Sequence, residues 1–255
     1  PKVLEDCIAH TQTAKRWKYE VSSIAYRHGG AGNNWALGYE MASGEFLEVS
    51  LNCIRKQIEK SDRGLSLCFL HSLAGGTGSG LGTRITEACA DVFSDMFRTN
   101  ISVAPHHFGE VVVQYYNALL CLSKVAATSN ATLVFENEIA SLLCREMLRI
   151  EKPLLKDLNY SIASNLIPLF LPKLCSNHSM SSAPSMHLTS LPEDIAHLCS
   201  HPSYPFISMK LTPQTSRKSI DYTYDTYLSL LKTVQRLAMS GTQIERFITK
   251  DIKNA

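Results

Sequence analysis

The sequence lacks long apolar runs, paired cysteines and a strong excess of either charge. Its most apolar segment, residues 166–174, is interrupted by Pro168 and Pro172, and a membrane-spanning helix needs about eighteen apolar residues. No basic and apolar signal segment opens the chain. The formal net charge is only +2 at pH 7, which argues against nucleic acid and anionic membranes as partners.

The eight cysteines are single, with no C-x-x-C spacing. This pattern argues against metal binding and favours a reducing, cytoplasmic compartment. We expect Cys68 and Cys89 to lie in the core, because a free cysteine behaves as a small hydrophobe. With 255 residues and 45% hydrophobic residues, the chain is long and apolar enough for a sizeable core.

Glycine is concentrated in residues 74–83. The apolar run before it, residues 65–70, predicts a strand buried on both faces. The pattern after it predicts a helix to about Met96, with Glu87 on its solvated face. A strand, a glycine loop and a helix N-terminus together bind phosphate, because free N–H groups point at the anion and glycine lets the backbone approach closely.

The common versions of such a loop do not fit this one. No starting position supplies the three glycines of the dinucleotide fingerprint, and Leu81 stands where a Walker-type loop needs lysine. A nucleophile elbow needs glycine where Thr77 precedes Ser79. We therefore predict that the loop holds phosphate through backbone amides and the hydroxyls of Thr77 and Ser79.

Residues 74–80 resemble the Gly-Gly-Gly-Thr-Gly-Ser-Gly signature of the tubulin superfamily, with Ala74 in place of the first glycine. Further matches follow the order of that family across about residues 20–165, at Gly30–Ala36, Tyr116–Ala118, Glu136–Glu138 and Asp157–Asn159. Within the superfamily the chain is most similar to the delta branch, judged by residues 35–39 and 108–118.

The resemblance implies that the chain binds GTP or GDP, with Mg²⁺ as a companion ion. The implied phosphate contacts are Ala74, Gly75, Gly76, Thr77, Gly78, Ser79 and Gly80, with Gly30, Ala31, Gly32 and Asn33 in a second loop that closes over the terminal phosphate. The implied contacts to the guanine edge are Asn137 and Asn159, whose amides offer both a donor and an acceptor.

Some positions depart from the family. Gln114 stands near an expected acidic contact to the ribose, and Leu155 stands where an aromatic residue stacks on the base. Pro192 occupies the asparagine position of the hydrolysis segment. Glu193 and Asp194 are weak candidates for polarising a water molecule, since acids there are more simply explained by a helix N-terminus. We predict binding and leave the catalytic residues unassigned.

Alternating strands and helices predict an α/β fold with a Rossmann-like parallel sheet. We expect a GTP-binding domain over residues 1–152, a central helix over 153–171, a loop or partly disordered insert over 172–192, and a partial intermediate α+β domain over 193–255. Residues 21–26 and 111–113 look like short strands, and Asn117 looks like the cap of the following helix. The first phosphate loop and the C-terminal region of the family are missing, so we expect a fragment of a longer protein.

By this resemblance the chain is a guanine-nucleotide-binding cytoskeletal protein of microtubules. Its expected setting is the cytoplasm, at centrioles and basal bodies and in cilium assembly, with the nucleus as a second location. The expected partners are other tubulin subunits and centriolar proteins. Two alternatives stay open: a nucleotide-free scaffold with the tubulin fold, and a Rossmann-type dinucleotide-binding enzyme.

Overall fold

The computed structural model describes residues 8–9, 19–62, 66–106, 109, 111–146, 148–170, 173–174, 186–187, 191–210 and 226–239. In chain order its elements are α1 (Trp35–Met41), α2 (Glu45–Glu59), β1 (Ser66–Ser72), α3 (Gly82–Val92), β2 (Phe97–Ala104), α4 (Gln114–Thr128), β3 (Ala131–Glu136), α5 (Asn137–Glu146), α6 (Leu155–Phe170), β4 (Lys173–Leu174), β5 (Met186–His187), α7 (Leu191–Leu198), β6 (Phe206–Ile207) and α8 (Tyr227–Met239). A short 3-10 helix at Val21–Ser23 precedes α1, and a π-helical segment at Thr77–Leu81 runs directly into α3.

The main sheet has four strands in the order β1-β2-β3-β6. Strands β1 and β2 pair in parallel, with Ser66 opposite Phe97 and Ser72 opposite Val103. Helix α3 makes the crossover between them, and such a unit places helices against a parallel sheet. The predicted α/β class is therefore confirmed. None of the helices in the described ranges is long and apolar enough to cross a membrane.

The chain divides into two compact units, the first comprising Pro1–Val103 with Gly109–Thr132, and the second Ala104–Phe108 with Leu133–Ala255. The first unit buries side chains from α3, β2 and α4, and Leu73 directly after β1; the buried residues include Leu73, Cys89, Ile101, Cys121 and Val125. In the second unit α5 packs against α6 through Ala140, Cys144 and Leu158, with Leu148 and Ile162 at the edge of this cluster.

Arg98 anchors the start of β2 in the first unit. Its guanidinium donates to the carbonyl oxygens of Phe93, Ser94 and Met96, and to that of Thr128 at 2.9 Å. Thus one side chain satisfies carbonyls at the end of α3 and at the end of α4, where helices leave acceptors without partners.

Several local predictions were wrong. Strand β1 is not buried on both faces, because Cys68 and Leu70 are exposed on one side of this edge strand. Helix α3 ends at Val92 rather than near Met96, since Phe93 leaves helical geometry with φ −121° and ψ 57°. Residues 111–113 form a turn that leads into α4, and residues 21–23 form a 3-10 helix rather than a strand.

Most of residues 172–192 lie outside the described residues, so the predicted insert is not tested. The described parts of that range include an antiparallel pair in which Lys173 faces His187 and Leu174 faces Met186. Within residues 193–255, the expected partial second domain, the described residues include the short strand β6 at Phe206–Ile207 and the helix α8.

Candidate functional site

The glycine loop connects β1 to the helical run from Thr77 to Val92. Its start is tied down by the Ala74 N–H, which donates to the Ser72 hydroxyl at 3.3 Å. The Ser79 side chain is fully buried and its hydroxyl donates to the Gly75 carbonyl, so in this structure it closes the loop on itself. Thr77 is exposed. At the start of the run the first N–H groups have no partner within the helix, which is the property that anion binding requires.

Close packing explains part of the glycine content. A Cβ atom on Gly76 would lie 2.5 Å from the carbonyl oxygen of Asn34, and one on Gly80 would lie 2.2 Å from that of Trp35. A Cβ atom on Gly38 would lie 2.1 Å from the Gly76 carbonyl oxygen. The π-helical segment therefore rests directly on the backbone of α1, at a distance that only glycine permits.

The second predicted loop, residues 29–34, has three residues in the left-handed region: Gly29 (φ 97°), Gly32 (φ 54°) and Asn33 (φ 55°). Asparagine is one of the few side chains that accept this conformation. The Asn34 side chain caps α1 by accepting from the Ala36 N–H at 3.0 Å. No atom lies within 4 Å of a Cβ atom placed on Gly30, so this loop faces open space.

The two loops share one cavity within the first unit. It has a volume of about 250 Å³, and its lining includes Gly29 and Ala31 from the second loop and Thr77 from the glycine loop. Of the predicted phosphate contacts, the structure thus brings Ala31 and Thr77 to a common space, although the two loops are separated by about forty residues of sequence.

The Asn117 side chain joins the two loops. Its Oδ1 atom accepts from the Trp35 N–H at 3.0 Å, and its Nδ2 atom donates to the carbonyl oxygens of Asn33 at 2.7 Å and Ala74 at 2.9 Å. The residue is 3% exposed and lies in the first turn of α4, which begins at Gln114. The prediction that Asn117 caps this helix was wrong, since its amide is used across the fold instead.

A polar network holds α1, α3 and α4 together beside the loops. The Tyr39 hydroxyl donates to Glu87, and Lys124 lies 3.2 Å from the other carboxylate oxygen of Glu87. The Arg84 guanidinium lies over the Tyr39 ring at 5.3 Å, and Trp35 stacks on the same ring. The Glu87 hydrogen bond raises the pKa of Tyr39. Glu87 was predicted on the solvated face, but only 14% of its side chain is exposed.

Burial favours the neutral form of two titratable side chains of the first unit, Cys121 in α4 and His71 in β1. Burial raises the pKa of the Cys121 thiol to about 11, although this thiol accepts a hydrogen bond from Thr83 at 3.2 Å. Burial lowers the pKa of His71, whose Nε2 atom lies 3.0 Å from the Asn100 side-chain oxygen. A thiolate nucleophile is therefore not favoured at Cys121.

The predicted base contacts lie in the second unit. Asn137 is the first residue of α5, directly after β3, and Asn159 is exposed on α6. The carboxyl end of a parallel strand is where α/β folds bind ligands, which suits the position of Asn137. Leu155, at the expected stacking position, is 74% exposed as the first residue of α6.

Two other predicted positions are placed as follows. Gln114 is 3% exposed and its side chain packs against Gly109. The sequence did not predict this burial. Glu193 and Asp194 lie in the first turn of α7, where acidic side chains interact favourably with the helix dipole. In the described parts of the chain no group of three His, Cys, Asp or Glu residues is arranged to hold a metal ion.

Comparison with known proteins identifies the family. Residues 2–144 match the model of the Tubulin/FtsZ family, GTPase domain. The chain is 32% identical to the tubulin delta chain of Homo sapiens over 252 residues, covering 99% of this chain and 55% of the human protein. It is 31% identical to the tubulin delta chain of Mus musculus over 253 residues, which is 99% of this chain and 55% of that protein.

A relative that matches a shorter part of the chain agrees with this assignment. The tubulin gamma chain of Saccharomyces cerevisiae is 33% identical over 201 residues, covering 79% of this chain and 42% of the yeast protein. The chain spans about half the length of the delta chains that it matches. With a family model that covers more than half of the sequence, the chain belongs to the tubulin/FtsZ family.

Proposed function

We propose that this chain binds a guanine nucleotide, with the phosphates held by the loops at residues 29–34 and 74–80. The proposal is carried by the junction at Asn117, where one buried amide contacts the backbone of both loops, together with a cavity that residues of both loops line. Membership of the tubulin/FtsZ GTPase-domain family supports a guanine nucleotide as the ligand.

The residues present fit phosphate groups. The space around Gly29, Gly30 and Gly32 is open, and consecutive amides in such a turn form a concave anion site. Thr77 adds an exposed hydroxyl from the other loop. A Mg²⁺ ion would be held mainly through phosphate oxygens and water, as is usual for nucleotide sites, since the described residues contain no cluster of ligands.

Recognition of the base is proposed from the resemblance alone. In it, Asn137 and Asn159 hydrogen-bond the guanine edge. Each amide has donor and acceptor capacity for such an edge. The two residues are carried by α5 and α6, which pack against each other in the second unit.

Hydrolysis is not part of the proposal. Glu193 and Asp194 are accounted for as acids in the first turn of α7, and Pro192 replaces the asparagine of the hydrolysis segment. A second candidate function, a nucleotide-free scaffold, is favoured by Gln114, since a buried amide stands near the position of the expected acidic ribose contact.

For the cellular setting we propose a cytoskeletal protein that works with other tubulin subunits and centriolar proteins. By resemblance to the delta branch, its place is at centrioles and basal bodies, in microtubule organisation and cilium assembly, with the nucleus as a second location. Co-localisation of the tagged chain with a centriole marker tests this. Uniform distribution in the cytoplasm would contradict it.

The binding proposal is tested by displacement of a fluorescent GTP analogue from the purified chain. We expect GTP and GDP to displace the analogue and ATP to fail at equal concentration. Asn137→Ala and Asn159→Ala should weaken displacement by GTP, while Asn52→Ala, an exposed asparagine on α2, should not. Equal displacement by ATP and GTP would contradict guanine recognition.

A further inference from the structure

Asn117 directs every described hydrogen bond of its side chain to the backbone, at the two loops and at the first residue of α1. The oxygen contacts the Trp35 N–H, and the nitrogen contacts the carbonyls of Asn33 and Ala74. Both hydrogens of the amide are used, so the nitrogen has no donor left for a ligand. The role of this residue is therefore to place other groups.

The geometry prevents the loops from moving independently. The carbonyls of Asn33 and Ala74 lie 2.7 and 2.9 Å from the same nitrogen atom, so separation of the loops breaks at least one hydrogen bond. Since Asn117 is 3% exposed, water cannot easily replace a lost partner, and a buried group without a partner is costly.

We propose that Asn117 is a positioning residue that couples the two loops and thereby sets the preference for the nucleoside triphosphate over the diphosphate. The inference rests on the proposed function, in which both loops hold one nucleotide. The loop at residues 29–34 closes over the terminal phosphate, and the glycine loop holds the others. With Asn117 in place, the loop at residues 29–34 is already fixed against the glycine loop before the ligand arrives.

The expected consequence concerns the ratio of two affinities. Without Asn117, residues 29–34 become ordered only when the ligand binds. The free-energy cost of this ordering lowers the affinity for a ligand that contacts the loop. GDP lacks the terminal phosphate and draws less on this loop. Loss of the coupling therefore lowers the affinity for GTP more than the affinity for GDP.

The test uses Trp35 as a reporter. The chain has two tryptophans, and Trp17→Phe leaves Trp35, whose N–H contacts Asn117, as the single one. In this background, fluorescence titrations with GTP and GDP compare the wild type, Asn117→Ala and a matched control. The control is Asn165→Ala, which removes an asparagine that is 7% exposed on α6 and donates to the Ser161 carbonyl.

For Asn117→Ala we expect the GTP affinity to fall about tenfold, as for the loss of one or two buried hydrogen bonds, and the GDP affinity to fall clearly less. For Asn165→Ala we expect the GTP-to-GDP ratio to stay as in the wild type. An equal loss for both nucleotides in Asn117→Ala, or no loss, would overturn the inference while the proposed function stands.

A measurement on the unaltered chain covers the case in which Asn117→Ala does not fold. Amide hydrogen exchange of the peptide that contains Trp35 should be slow already without nucleotide, because Asn117 fixes this segment beforehand, and GTP should slow it little further. Fast exchange without nucleotide that becomes slow only when GTP is added would overturn the coupling alone. Failure of the unaltered chain to bind either nucleotide would overturn the proposed function as well.

Discussion

A Cβ atom on Gly38 would lie 2.1 Å from the carbonyl oxygen of Gly76, so α1 and the glycine loop touch backbone to backbone. The loop at residues 29–34 leads directly into α1. The contact between Gly38 and Gly76 therefore holds α1 against the glycine loop. Through α1 it also positions the loop at residues 29–34.

Gly38→Ala should destabilise the first unit by about 1–3 kcal/mol, because the added methyl group forces the two backbones apart. Denaturation with urea measures this as a lower midpoint. Gly30→Ala is the matched control, since a Cβ atom there meets no atom within 4 Å and its backbone is not in the left-handed region. Equal midpoints for the two variants would contradict the packing described at α1.

Glu87→Gln should lower the free energy of unfolding by about 1–2 kcal/mol, because Tyr39 and Lys124 lose a charged partner. Lys124→Gln should cost less, since 48% of its side chain is exposed and exposed ion pairs contribute little. Asp91→Asn, an exposed acid one turn further along α3, serves as the control in the same denaturation experiment. A cost for Asp91→Asn as large as that for Glu87→Gln would argue against the network.

Arg98→Lys should be destabilising although it keeps the charge. A lysine ammonium cannot reach the spread of carbonyls that the planar guanidinium contacts at Phe93, Ser94, Met96 and Thr128. We expect a loss of about 1–3 kcal/mol, and little change for Arg55→Lys on α2, whose one described side-chain bond is to Asn52. Thermal unfolding distinguishes the two; a neutral Arg98→Lys would show that these bonds do not hold β2.

Stability should decrease with acid through His71. Burial lowers the pKa of His71 in the folded chain below its ordinary value of 6.5, so the unfolded state binds more protons in mild acid. The contribution of His71 to the free energy of unfolding is complete above about pH 6.5, and it is lost as the pH drops from that value towards the pKa of His71 in the folded chain.

Urea denaturation between pH 7 and pH 5 measures the effect, and His71→Gln should make the dependence shallower. The pKa of Glu20 is lowered from 4.5, first by its hydrogen bond with Lys60, so its contribution is lost only at lower pH. An unchanged slope in His71→Gln would contradict the assignment to His71.

Residue patterns predicted the α/β class because burial of one face imposes a regular spacing of apolar residues in strands and helices. Strand β1 and helix α3 lie where the apolar run at 65–70 and the helical spacing after the glycine loop predicted them. Segments 111–113 and 21–26 were wrong, since β-branched residues favour strands only where a neighbouring strand is available.

The site was predicted in its residue types but not in its mechanics. The spacing of residues in the sequence cannot reveal that the Asn117 side chain contacts Asn33 and Ala74, because these contacts depend on how the fold packs α4 against the two loops. Nor can it show that Gly76 and Gly80 serve packing against α1. From sequence, an asparagine at the start of a helix is interpreted as a cap. The residue type is the same whether its hydrogen-bond partners are local or distant, so sequence does not distinguish the two cases.

The central claim, that the two loops hold a guanine nucleotide, is tested most directly by the nucleotide content of the protein as isolated from cells. The freshly purified chain is denatured, and the released small molecules are identified by chromatography. We predict GTP or GDP in an amount close to that of the chain. Absence of any nucleotide, or release of an adenine dinucleotide, would contradict the account.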